Sequence, residues 1–143
     1  MRFSKLLILG LGVVFLICGC ESRDEVLRVT SPDGRVDALV FEENCGVPCS
    51  FAYEVELVAK GDRGGEEAAL LEGAVRGQNA WGVNLNWIDS NKLSVEYLRA
   101  ENAKLLKQTV RIGGRNVTVS LHSGVIDPAA PAGGMLYNRK MTN

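Results

Sequence analysis

The chain has 143 residues, 46% of them hydrophobic, and a near-neutral balance of 16 Lys+Arg against 17 Asp+Glu with one histidine. That length suits a single domain with its own core once any targeting segment is set aside. No basic excess is available to neutralise a phosphate backbone, which argues against nucleic acid as a partner.

The first elements are targeting signals. Arg2 and Lys5 form a short positive segment, and Leu6 to Cys18 follow as an apolar run of 13 residues. At a rise of about 1.5 Å per residue, such a helix is shorter than the roughly 20 residues that span a bilayer core. It has the length of a signal-peptide core. The run ends in Ile17-Cys18-Gly19-Cys20. This quartet resembles a lipobox, the site read by lipoprotein signal peptidase: an aliphatic residue, a small residue, Gly or Ala, then cysteine. Cys18 departs from the more usual Ala or Ser. The resemblance implies cleavage before Cys20 and a covalent lipid (diacylglycerol and an N-acyl chain) on its sulfur, with the lipid bilayer as first partner. The plainer alternative is an ordinary secretory signal or an uncleaved anchor. Each buried CH₂ adds about 0.8 kcal/mol, so three acyl chains hold firmly. In such lipoproteins Asp after the cysteine favours the inner membrane. Glu21 stands there instead, so the expected location is the outer membrane, facing the periplasm.

Residues 1–19 are thus expected to leave as a signal peptide, and 20–25 to form a lipidated tether. Removing Arg2 and Lys5 leaves 14 Lys+Arg against 17 Asp+Glu, a net charge near −3 on 124 residues. Cys45 and Cys49 remain, separated by Gly-Val-Pro. In an oxidising compartment the pair reads first as a disulfide closing a tight loop. Labile thiols stay open, as does a redox or metal role. Against the last two, the spacing has one residue too many for a thioredoxin-like pair, and His122 is the only imidazole.

From Val26 to Ser123 apolar residues recur with period two, broken by turn signals. Val26–Thr30 reads as a strand, Ser31-Pro32-Asp33-Gly34 as a turn, and Val36–Phe41 as a strand covered on both faces. Phe51, Tyr53, Val55 and Leu57 face a core, with Glu54 and Glu56 on a solvated opposite face. Ala68–Arg76 reads as a weak strand. Val83, Leu85 and Trp87 with Leu93, Val95 and Tyr97 form the clearest hairpin, and Glu101–Leu106 a short helix or loop. Val110 and Ile112 lead through Gly113-Gly114 to a last strand with Val117, Val119 and Leu121. The expected fold is mainly β: a small antiparallel β-sandwich or barrel-like domain of about seven or eight short strands over residues 26–123. Residues 124–143, rich in Ala, Pro and Gly, are expected to be a flexible C-terminal tail.

Ser31-Pro-Asp-Gly-Arg35 and Trp87-Ile-Asp-Ser-Asn-Lys-Leu93 resemble strand–turn signatures of β-propeller blades over about 65 residues, yet the chain has strands for two blades at most. The mature part as a whole is similar to small uncharacterised lipoproteins of Gram-negative bacteria.

No catalytic constellation emerges. His122 reads as an exposed sheet residue and no serine lies in a nucleophile elbow. The Glu54/Glu56 pair gives no sign of the burial that tunes a general acid. Trp87 and Tyr97 fall on the apolar face, leaving Trp81, in a loop, as the candidate recognition residue. The reading is a non-enzymatic, membrane-anchored binding or accessory domain for a periplasmic or envelope protein. An inhibitor of a cell-wall-degrading enzyme and a thiol redox protein are the alternatives.

Overall fold

The computed structural model describes residues 22–44, 51–74 and 82–128, and there the chain is all β. Nine strands form: β1 (Ser22–Thr30), β2 (Val36–Asn44), β3 (Ala52–Ala59), β4 (Glu66–Glu72), β5 (Asn84–Asp89), β6 (Lys92–Tyr97), β7 (Asn102–Leu105), β8 (Thr109–Ile112) and β9 (Arg115–Ser123). They build two sheets. The first has the order β1-β2-β3-β4-β7 and is antiparallel throughout; the second has the order β5-β6-β9-β8.

Alternation explains how the sheets meet. Val36, Ala38 and Val40 of β2, Tyr53, Val55 and Leu57 of β3, and Ala69 and Leu71 of β4 point to one side and are buried. Val83, Leu85, Leu93, Val95, Val110, Val117 and Val119 of the second sheet close over them in one core cluster. Each such Val or Leu contributes about 1.5–3 kcal/mol on leaving water. Trp87 and Tyr97 pack against this core, half-buried, on the face their spacing indicates.

Turn chemistry sets the register. The Ser31 hydroxyl donates to Asp33 (2.8 Å) and accepts from the Val36 amide (3.1 Å), while Gly34, at φ +74°, donates to the Ser31 carbonyl. Gly113 and Gly114, at φ +58° and +77°, make the two-residue turn between β8 and β9.

Four features depart from expectation. Residues 22–25 are not a tether: they pair with β2 as the first half of β1, Ser22 opposite Asn44 and Arg23 opposite Glu43. A bulge between Glu25 and Leu27 inverts the alternation, so the charged half and the apolar half of β1 belong to one strand out of phase. The 101–106 segment is neither helix nor loop but contains the edge strand β7. Ala68 sits at a bulge of its own in β4, which blurs the period there. Finally, β6 and β9 pair in parallel, Leu93 beside Val119 and Glu96 beside His122, although every neighbouring pair is antiparallel. The long excursion through β7 and β8 makes that parallel return possible.

The first residues assigned to the tail, 124 and 125, are held by the domain. The Gly124 and Val125 amides donate to the carbonyls of Leu98 (2.9 Å) and Tyr97 (3.1 Å), fixing the chain past the end of β9.

Candidate functional site

The outward face of the first sheet is a lattice of charge. Arg23 donates to Glu54 (2.9 and 3.3 Å) and Glu56 (3.2 Å), lies 3.4 Å from Glu43, and stacks over the Phe41 ring at 3.6 Å. Arg28 bridges Glu25 (2.8 Å) and Asp37 (2.9 Å), and Asp37 also accepts from Thr30 (2.7 Å) and Lys60 (3.2 Å). Glu54 is only 7% exposed, and Leu39, on the same face, 2%. The expected solvated Glu54/Glu56 face is thus an inward-locked one. One guanidinium occupies the gap between the two carboxylates, where a glycosidic oxygen would have to sit. Burial raises the proton affinity of the Asp37 carboxyl, but its bonds to Thr30, Arg28 and Lys60 outweigh this and lower its pKa. The same contest at Arg23, with burial opposed by Glu54 and Glu56, ends with the guanidinium more firmly protonated. A surface so fully paired with itself offers a ligand few unsatisfied groups.

The outward face of the second sheet is a polar ladder. Ser94 and Asn86 both donate to Glu96 Oε1 (3.1 and 3.2 Å). Ser120 Oγ lies 3.1 Å from His122 Nε2, the separation of a nucleophile and its base. The same hydroxyl lies 3.4 Å from the Leu93 carbonyl. With its hydrogen directed to that carbonyl, the hydroxyl can only accept a hydrogen bond from His122, an arrangement of the Nε2–H tautomer that does not activate the serine. His122 is exposed, on a strand flanked by β6 and β8.

The concave feature lies where the two sheets leave their edges unjoined. β1 ends the first sheet and β5 the second, and the two run side by side. One bond stitches them: Trp87 Nε1 donates to the Val29 carbonyl at 3.0 Å. Below it opens a cleft of about 330 Å³ lined by Leu27, Val29, Asn84, Leu85, Asn86, Glu96 and Asp127. Among the described residues its lining is apolar at Leu27, Val29 and Leu85, carries the side-chain amides of Asn84 and Asn86, and has Glu96 and Asp127 as its charged groups. At the lower limit of ligand-pocket sizes, it suits side chains of an extended segment better than an enclosed drug-sized molecule.

Ile17, Cys18, Gly19, Cys20, Cys45, Cys49 and Trp81, the residues singled out by the sequence, all lie outside the described residues. Those the sequence missed are Arg23 and Arg28, read as tether and strand surface, and the cleft residues Leu27, Asn84, Asn86, Glu96 and Asp127. A signal for the lattice existed: basic residues of β1 stand opposite or diagonal to acids of β2 and β3, as cross-strand pairing favours. The cleft had none, because it depends on which edges the two sheets bring together. Among the described residues no group of three or more His, Cys, Asp or Glu side chains is placed to hold a metal. No family model matches the chain, and comparisons with curated proteins and with solved structures return no match.

Proposed function

We propose that this is a membrane-anchored envelope lipoprotein, lipidated at Cys20, whose domain binds an extended segment of an envelope protein along the β1–β5 seam. The observation that carries the binding reading is the cleft between two unjoined sheet edges, with Leu27, Val29 and Leu85 beneath and Asn84, Asn86 and Glu96 beside. A strand laid there gains main-chain hydrogen bonds from an edge and side-chain selection from the pocket. The reading is non-enzymatic: His122 stands exposed on the sheet and the acidic pair is locked by Arg23. Neither alternative, a wall-enzyme inhibitor or a thiol carrier, is favoured by any contact in the described residues.

The test is photo-cross-linking in cells from residue 27 or 86, with residue 111, on the outward face of β8, as the control position. One protein captured from 27 and 86 but not from 111 supports the reading. Equal capture from all three, or none from a protein shown to be lipidated and folded, rejects it.

A further inference from the structure

We infer that the domain stands end-on against the bilayer that holds its lipid, because the anchor joins the sheet with almost no slack. This rests on lipidation at Cys20. A single residue, Glu21, separates Cys20 from Ser22. Ser22 is already a sheet residue, opposite Asn44, and its neighbour Arg23 is held by Glu43, Glu54, Glu56 and the Phe41 ring. Two Cα steps reach about 7 Å at full extension. The first residue of β1 therefore cannot rise further than that from the lipidated sulfur's own backbone, and it cannot fray without releasing a buried glutamate.

The rest of the same end fits such a neighbour. Register carries the level of Ser22 across the sheet. Glu43 pairs with Ala52, the Gly73 amide donates to the Phe51 carbonyl (2.9 Å), and the Glu101 amide donates to the Glu72 carbonyl (3.0 Å). Phe51 is 37% exposed there, and Arg99 is exposed beside a shallow hollow that it shares with Gly73, Ala100 and Glu101. An aromatic ring and a guanidinium at one end of a sheet are the pair of groups that settle at a headgroup interface, the ring at the acyl boundary and the cation on phosphate. The occupant of this end is the lipid surface itself.

Orientation then restricts the partner. β1 is nine residues long, so the far turns at Gly34, Gly61 and Gly113–Gly114 stand about 30 Å above the anchor. The cleft at Leu27 opens sideways at roughly half that height. A segment reaching it approaches from the side, within about 15 Å of the bilayer.

The experiment uses the lipidated mature chain in nanodiscs, with and without a paramagnetic lipid headgroup, reading amide relaxation by NMR. Amides of Phe51, Gly73 and Glu101 should relax about tenfold or more faster than those of Gly34, Gly61 and Gly114, given a height difference of about 30 Å. Equal enhancement at both ends overturns the inference. A variant with 20 Gly/Ser residues inserted after Glu21, spanning roughly 25 Å as a coil, should bring the ratio towards one. An unchanged ratio in that variant shows that the short link is not what seats the domain, and again overturns it. The underlying assumption fails separately: a chain that carries no lipid by mass and does not associate with discs refutes lipidation at Cys20.

Discussion

Substituting Gly82→Ala tests whether the lower end of the core is as closely packed as the structure indicates. A β-carbon on Gly82 would stand 2.6 Å from Tyr53 Cζ and 2.8 Å from both Cε2 and the hydroxyl oxygen. Relief to an ordinary 3.4 Å contact requires the ring to move about 0.8 Å, in an interior packed like a crystal. Tyr53 has no exposed surface, and its hydroxyl donates to the buried Glu42 at 3.0 Å. Overpacking of this kind costs about 1–3 kcal/mol, and weakening a hydrogen bond to a carboxylate adds about 1–2 more. Alanine's smaller unfolded-state entropy returns about 0.4–1 kcal/mol. The net expectation is a loss of about 1.5–4 kcal/mol. At about 4–8 °C per kcal/mol for a domain of this size, Tm falls by roughly 6 °C or more. Tyr53→Phe isolates the hydroxyl, and in its background Gly82→Ala should cost about 1 kcal/mol less, because the bond it disturbs is already gone. Urea unfolding of the four proteins gives every term. If Gly82→Ala leaves stability unchanged or raises it, the Tyr53 ring is not confined. If the two costs simply add, the clash does not reach the Glu42 bond.

Arg23→Gln should destabilise by about 1–3 kcal/mol, less than loss of a fully buried partner because the Arg23 side chain is 41% exposed; urea midpoints read this. Acidification should weaken the fold below pH 4. Asp33 is the clearer case: desolvation raises its carboxyl's pKa, but bonds from Ser31, Arg115 and the Arg35 amide prevail and hold it at about 2, and Asp37 is lowered likewise. A depressed carboxyl stabilises above its unfolded value and loses that contribution as pH falls towards its folded one, so urea midpoints should drop between about pH 4 and 2, and less steeply in Asp37→Asn.

How much of this the sequence carried varied with the range of the interaction responsible. Strands β2, β3, β5, β6 and β9 were legible because alternation and local turn residues such as Pro32-Asp33-Gly34 act within ten residues. The first half of β1 was not. Ser22-Arg23-Asp24-Glu25 has the composition of a tether, and what makes it a strand is a set of carboxylates on β2 and β3, up to 33 residues away. β7 was missed for a similar reason: Asn102-Ala-Lys-Leu has weak strand preference and is ordered by pairing with β4. The parallel union of β6 and β9 is a choice of topology that no local pattern encodes. The cleft follows from that choice, since placing β9 inside the second sheet leaves β5 at its edge beside β1.

Edge strands are the reason the proposed binding is placed at the seam and not at another margin. The sheets have four edges: β1, β7, β5 and β8. β7 and β8 have four residues each, too short to template a foreign strand. β5 has six residues and is broken by a bulge between Trp87 and Asp89. β1 has nine residues, the longest edge of the four, and its exposure is limited by its own devices: a bulge beside Val26 and the Trp87 indole on the Val29 carbonyl. Indiscriminate pairing along the whole of β1 is thereby prevented. Access remains at the level of Leu27, where Asn84, Asn86 and Glu96 inspect whatever enters. An edge left open only locally selects for sequence where a fully open edge would select only for extension. The proposed binding of one extended segment rests on this combination of guarded edge and local opening.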